Sequence, residues 1–445
     1  MEAFIFRSLI DRISSTNCYT IQSATTFYAN HKMNEKRAID ITRREFVERI
    51  SLAGAAIGLS GVAATAAGAP DSPQGPVDGR GKVIPGFEKV RADPNASVIW
   101  QPFSDRKIRV GIAGYGLCKF GAAFGFQSHP NVEVVAVTDL IPENRAALAK
   151  ACRCEKTYLS CEEMIKDDTI EAVFIATDAP SHARLAIAAL ECGKHVASAV
   201  PAVLGSLEDA DALFNAVKKS GLKYMMFETS YFHSDLYTWH QQYMAGRLGK
   251  ILYSEGEYYH YFGSPLAGYN PKTKKVDAGG WRNGLPPQWY PTHSNAYHVG
   301  VTGGSFVDVS CQGVRSIVPH LRAENNAYKN PFGSEIALMR THDGGASRMA
   351  VCWDLPSAGG ERGRVYGQKN ATGSAVRPPL PPGVASGGHG GSHGHLTTEF
   401  VDAILRDRKP WVDVAQALNM TVAGIVAHQS ALRDGERMKI PQYSL

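Results

Sequence analysis

The ten residues Lys107-Ile-Arg-Val-Gly-Ile-Ala-Gly-Tyr-Gly116 decide the fold. Their apolar positions predict a strand over 108–113, and the glycines that follow predict a tight turn opening a helix. Such a turn lets the backbone come close to a pyrophosphate, whose charge the N–H groups at a helix N-terminus stabilise. A second strand is expected over 132–138, and Asp139 ends it, 25 residues beyond Gly114. There a carboxylate can accept hydrogen bonds from adenosine ribose hydroxyls, and it disfavours a 2′-phosphate, so NAD is expected over NADP. Gly111, Gly114, Tyr115, Gly116 and Asp139 are therefore the first candidates for binding cofactor. Lys119 occupies the third glycine position of the motif, and its side chain should hold the helix off the strand unless Gly121 takes over.

Outward from this stretch, strands at 172–177, 195–197 and 223–227 alternate with helices through 147, at 181–192 and at 207–220. That alternation implies an α/β domain, a Rossmann doubly wound parallel sheet covered on both faces, over residues 105–228. Beyond Glu228 the pattern changes: a helix at 237–245, a long strand at 251–262, further strands at 335–340 and 348–353, then helices at 396–406 and 414–432. Residues 229–445 are expected to form a C-terminal α+β domain on an open, mostly antiparallel sheet. A glycine- and proline-rich loop is expected over 377–394.

Ahead of both domains, Thr42-Arg-Arg-Glu-Phe-Val47 precedes a glycine- and alanine-rich apolar run over 50–66, ending in Ala64-Thr-Ala66. Residues 1–66 read as an N-terminal extension and twin-arginine signal peptide, with Met33 the expected start, and the protein as exported and periplasmic. The apolar run is too short to remain as a membrane span. Residues 67–104, rich in Gly, Pro, Asp and Ser, read as a linker or arm. Net charge is +5, and removing residues 1–66 leaves +3, which argues against nucleic acid or an anionic membrane as partner. Cys18 falls in the signal segment, and the other seven cysteines show neither a disulfide framework nor metal-ligand spacing. No metal is expected, and Cys152-x-Cys154 is expected in a surface helix or turn.

Thr177-Asp-Ala-Pro180-Ser-His182 and Gly193-Lys-His-Val, in this order of elements, resemble the Gfo/Idh/MocA family from about Lys107 to Pro441. That resemblance implies further cofactor contacts at Thr177, Pro180, His182 and Pro201. It also implies an open C-terminal sheet that makes a homo-oligomer interface. The family's dehydrogenases usually carry Glu-Lys-Pro after the fourth strand of the domain, where this sequence has Ala199-Val200-Pro201. The proton-transfer lysine is missing, and a hydroxyl that loses hydride must also lose a proton to a positioned base.

A subgroup, the NAD-dependent glycosidases typified by α-N-acetylgalactosaminidase, is more similar. Val200-Pro-Ala202, Glu228, Glu255-Gly-Glu-Tyr258-Tyr-His260 and Tyr290-Pro-Thr-His293 all match its pattern. The turn His389-Gly-Gly-Ser-His393 ends in His where the subgroup has Asp, so substrate preference does not transfer. The resemblance implies a redox-neutral cycle: oxidation at sugar C3, loss of the acidified C2 proton, departure of the C1 substituent, addition of water, and reduction. Tyr258, His293, Glu228, His260 and Tyr290 are the catalytic candidates. Tyr258 or His260 is expected as base, His293, in a loop, as the group handling the C3 hydroxyl proton, and Glu228 as pointing into the crevice. A net sugar dehydrogenase and a non-catalytic sugar-binding protein are the rival readings. His389, His393 and His395, in the glycine-rich loop, are expected to line substrate or meet solvent rather than bind metal.

Overall fold

Ile108–Ala113 form strand β1, which lies between β2 (Val132–Thr138) and β4 (Ala172–Ile175), both parallel to it. The computed structural model describes residues 103–357 and 359–445. The signal segment, its cleavage site, Met33, Cys18 and the arm through Pro102 lie outside the described residues. With β3 (Thr157–Tyr158), β5 (His195–Ser198) and β6 (Tyr224–Met226), the first sheet runs β3-β2-β1-β4-β5-β6. Its order reverses beside β1, and in such sheets the crevice outside the carboxyl ends of the strands is where ligands bind. Helices α1 (Phe120–Ala123), α2 (Pro142–Cys152), α3 (Cys161–Met164), α4 (His182–Glu191) and α5 (Leu207–Ser220) form the crossovers.

The glycine turn resolves the Lys119 question. A Cβ on Gly121 would sit 2.3 Å from the Gly114 carbonyl and 3.2 Å from Ile112, so Gly121 makes the close helix-to-strand approach. Lys119 caps α1 from outside with a left-handed backbone, φ 54°.

Helix α6 (Ser234–Met244) leads into the second sheet. Its strands are β7 (Ile251–Tyr259), β10 (Phe306–Arg315), β11 (Phe332–Thr341), β12 (Ala346–Cys352), β13 (Gly360–Gly367) and β14 (Met438–Lys439), in the order β13-β7-β12-β11-β10-β14. Only the β7–β12 pairing in it is parallel. A separate hairpin, β8 (Gly268–Asn270) with β9 (Lys275–Asp277), precedes helix α7 (Thr292–Thr302), and α8 (His393–Leu405) and α9 (Val414–Ala431) complete the chain.

Several elements depart from the expected pattern, among them strand β10, which lies where no strand is expected. Helix α7 stands where the sequence predicts a loop, because residues 292–301 are all buried, which leaves no polar stripe and hence no helical periodicity to see. Strand β13, with Glu361, Arg362 and Arg364 among glycines, has no apolar face to announce it. His393 and His395 lie in the first turn of α8 rather than in the glycine-rich loop. Cys152 and Cys154 are buried, not on the surface as expected, and all seven described cysteines are free.

One aromatic cluster joins the two halves. Phe174 on β4 lies 5.4 Å from Phe124, 5.1 Å from Phe126 and 5.0 Å from Phe227, and Phe227 lies 6.1 Å from Phe400 on α8. Truncating a ring in such a cluster costs about 3–5 kcal/mol, so the crevice between the sheets has a stiff floor.

Candidate active site

Two cavities open along the carboxyl ends of the first sheet. The larger, about 550 Å3, is lined by Gly114, Gly116, Asp139 and Thr177, and from the other side by Tyr269 and Val276 of the β8–β9 hairpin. Its floor suits a dinucleotide. Gly114, at φ 102°, passes so near β4 that a Cβ would lie 2.3 Å from the Ala176 carbonyl, while at Gly116 a Cβ would meet nothing within 4 Å. Asp139 ties the turn to the next loop, accepting from Tyr115 N at 2.7 Å and Ile141 N at 2.8 Å, and its outer edge borders the cavity.

Of the other expected cofactor residues, Gly111, Tyr115, Pro180, His182 and Pro201 are not in the lining of this cavity. Gly111 is a packing glycine on β1, where a Cβ would crowd Met164 and Ile170 at 3.1 Å. Tyr115 packs its ring under the Lys119 ammonium, 4.5 Å away. His182 is buried, with Nδ1 2.9 Å from the Pro201 carbonyl and Nε2 3.4 Å from that of Thr177. It holds two cleft loops together.

The smaller cavity, about 340 Å3, shares Cys118, Phe120, Trp281 and Arg282 with the first. Tyr258, His260, Tyr290 and His293 line it together. Strand β7 delivers Tyr258 and, one step past its end, His260, whose N–H still bonds the Cys352 carbonyl at 2.9 Å. The Tyr258 hydroxyl lies 3.3 Å from His260 Nδ1, and the Tyr258 ring meets that of His293 at 4.7 Å and that of Tyr290 at 6.0 Å. Val200 occupies the wall where the family's lysine is expected.

Glu228 is not in the crevice. It is fully buried behind His293, with Oε1 accepting from His293 Nδ1 at 2.8 Å and from Ser230 N at 3.0 Å. Glu361, paired in register with Tyr258, approaches the same imidazole at 3.8 Å and accepts from Ser230 Oγ at 3.0 Å. Burial opposes charge on His293, but Glu228 and Glu361 outweigh it and raise its pKa to about 9. Burial likewise opposes charge on Glu228, and the His293 cation overcomes it, holding the carboxyl at about 2. The pair is thus an imidazolium between two carboxylates, and removing one member of such a buried pair costs about 3–5 kcal/mol. Ligand atoms of Glu228, His293 and Glu361 all lie within 4.8 Å of one another, a spacing that could also accept a metal ion; here the proton on His293 offsets one of the two negative charges.

Opposite this cation, desolvation, with Tyr290, Glu361 and Cys118, pushes the Tyr258 phenol well above its ordinary value, and Arg282 pulls it down. Desolvation, then Arg282 and His293, lowers the exposed His260, keeping it neutral at neutral pH. Sequence reading missed Arg282 and Trp281, which lie in a stretch of Gly, Pro and Asn, and Glu361, on the unannounced strand. His389 lines the cavity and sits 2.9 Å from His393, while His395 stacks on Phe232 at 5.2 Å.

With this geometry in view, similarity to known proteins is specific. A family model described as "Oxidoreductase family, NAD-binding Rossmann fold" (Gfo/Idh/MocA) matches residues 108–228. The chain carries a Gfo/Idh/MocA NAD-binding domain. It is 33% identical over 162 residues to glycosyl hydrolase family 109 protein 1 of Bacteroides fragilis, a match covering 34% of this chain and 35% of that protein. It is 28% identical over 141 residues to 4-carboxy-2-hydroxymuconate-6-semialdehyde dehydrogenase of Sphingobium, covering 32% and 44%. The chain thus matches about a third of the length of its glycosyl hydrolase relatives.

Among solved structures, scyllo-inositol dehydrogenase of Lactobacillus casei with bound NAD(H) and scyllo-inositol aligns at TM-score 0.59 and 18% identity, over 75% of this chain and 99% of that one. Myo-inositol 2-dehydrogenase of Lactobacillus plantarum aligns at 0.59 and 20%, over 76% and 100%. At these identities the likeness is one of fold, and it spans both sheets.

Proposed function

We propose that this protein is an NAD-dependent carbohydrate enzyme that cleaves a glycoside through transient oxidation at sugar C3, with no net redox change. The observation that supports this most is the second cavity. It adjoins the cofactor cleft through shared walls, has Val200 in place of a lysine, and sets a charged His293 across from a neutral Tyr258–His260 pair. Gly114, Gly116, Asp139 and Thr177 would hold NAD, which when bound supplies an acceptor and donor of hydride at C3.

The flat rings of Tyr258, Tyr290, Trp281 and Trp353 offer apolar faces for a sugar, and the polar edges of the histidines orient it. His293 was expected to accept the C3 hydroxyl proton, but an imidazole held protonated to about 9 serves better as a donor. It hydrogen-bonds the C3 oxygen and stabilises the negative charge that develops there when the C2 proton leaves. Glu228 and Glu361 are positioning residues that keep His293 charged and oriented.

Tyr258 takes the protons, relaying them to His260 Nδ1 at 3.3 Å, and the exposed His260 can release each to water before the next arrives. Arg282 is the cation of this cavity that favours the tyrosinate. Export by the twin-arginine route, a redox-neutral cycle and a retained cofactor fit one another, because NAD is not regenerated outside the cytoplasm. Self-association through the open face of the second sheet is part of the same proposal: there Leu338 and Tyr366 remain 61% and 49% exposed beside the Arg348–Glu255–Glu257 network.

The test is turnover of a glycoside panel in heavy water by the purified full chain, with cofactor released on denaturation identified by mass. Expected are co-purified NAD, cleavage without NADH accumulation, and deuterium at C2 of the released sugar. NADH rising in step with a keto-sugar, and no cleavage, would replace this reading with a net sugar dehydrogenase; sugar binding without turnover would replace it with a binding protein.

A further inference from the structure

Away from both cavities, at the far end of the helix that presents His293, lies a grouping that the proposed reaction does not use. His298 on α7, and His342 and Asp343 in the turn between β11 and β12, each place one ligand atom within 4.8 Å of the others. We propose that these three side chains bind a divalent transition-metal ion of the zinc class.

Each residue is already oriented through one atom, with another left for a ligand. His298 is fully buried; its Nδ1 lies 3.2 Å from Ser254 Oγ, itself 2.6 Å from Ser347 Oγ, and its Nε2 is buried with no hydrogen-bond partner. A buried polar atom left unpaired costs about 1–3 kcal/mol, so an orphan nitrogen in a closed helix–sheet contact asks for an occupant. His342 Nδ1 accepts a long bond from Ser305 N at 3.3 Å, so coordination through Nε2 requires that bond to be given up and the ring proton to move to Nδ1. Asp343 Oδ1 accepts from the Thr341 hydroxyl and from Gly345 N, which leaves Oδ2.

Metal-binding imidazoles typically donate their second ring N–H, as His298 Nδ1 can to Ser254 Oγ, which sets ring orientation and tautomer. Two imidazoles and a carboxylate suit zinc, nickel or copper, and exposure of His342 leaves a fourth position to water. Ligand-to-metal distances of about 2.0–2.2 Å require the turn to close slightly on the ion, which an exposed turn can do. The bound ion would clamp the turn to α7 and so fix the helix that sets His293.

Because a His298 variant would disturb the core, the test uses the turn. The full chain, stripped with chelator, is titrated with Zn2+ by calorimetry and with Co2+ by visible absorption, beside the variants His342→Ala, Asp343→Asn and the double variant. Expected are one equivalent of Zn2+, a Co2+ ligand-field band, a melting temperature raised by metal, and binding at least about tenfold weaker in each single variant. No Zn2+ binding by the native chain, or equal binding in the double variant, would overturn the proposal. The second result would place the ion elsewhere, for instance at Glu228, His293 and Glu361. Glycoside turnover is measured separately, on the same metal-free and metal-loaded chain.

Discussion

His293 is where charge, burial and chemistry meet. Its pKa is raised above the free-imidazole value of 6.5, so its ion pair stabilises the fold fully below that pH, and the contribution is lost as pH rises through about 9. Activity that needs the imidazolium should fall along the same alkaline limb. Glu228→Gln keeps the shape and removes the main charge, so the limb of the pH–kcat/KM profile should move down from about 9 by a unit or more, while Kd for NAD holds. An unmoved limb would show that another group sets it. Tyr258→Phe should abolish deuterium exchange at C2 and lower kcat by about a hundredfold or more, the usual worth of a positioned proton-transfer group, with NAD binding intact. Normal exchange in that variant would remove Tyr258 from the proton path.

Among the elements, the glycine turn shows which residue type a local approach demands. Gly121→Ala would drive a Cβ to 2.3 Å from the Gly114 carbonyl and 3.2 Å from Ile112, forcing α1 off β1. NAD affinity should drop by at least about tenfold, the equivalent of 1.4 kcal/mol, and the melting temperature should fall with it. Lys119→Gly, at the motif's nominal glycine, should instead be neutral or stabilising by about 1 kcal/mol, because it relieves a left-handed backbone at φ 54°. Equilibrium dialysis with NAD on both variants checks the contrast; equal losses would mean that Lys119 itself contacts the cofactor. Hairpin β8–β9 is the other element to watch, since Tyr269 and Val276 bring the second domain over the cofactor cleft.

For the whole molecule, the proposed export and the proposed cofactor retention belong together. Arg43→Lys with Arg44→Lys should retain the chain in the cytoplasm of a bacterial host, measured by fractionation, while leaving turnover of the purified protein unchanged. Continued export of that variant would set the twin-arginine reading aside. Among the described residues no helix is long and apolar enough to cross a membrane.

The sequence by itself determined what is local and periodic. Strand β1, the glycine turn and Asp139 could be read because one alternating run, one turn and one strand-end acid are neighbours in the chain or a fixed step apart. The order of the Rossmann crossovers followed from the same periodicities, and Tyr258, His260, Tyr290 and His293 came from motifs short enough to resemble a family's. What only tertiary structure decided is what depends on distant partners. Burial on every side hid α7, so His293 read as a loop residue until the helix appeared. Glu228 moved from the crevice to a place behind His293, because only the packed core fixes which side of a strand end its carboxylate faces. Glu361, 133 residues beyond Glu228 in the chain, joins the same imidazole through β13, and Arg282 reaches both cavities from a loop. The pKa of His293 follows from that three-dimensional arrangement of charge in a desolvated pocket, and no spacing along the chain encodes it.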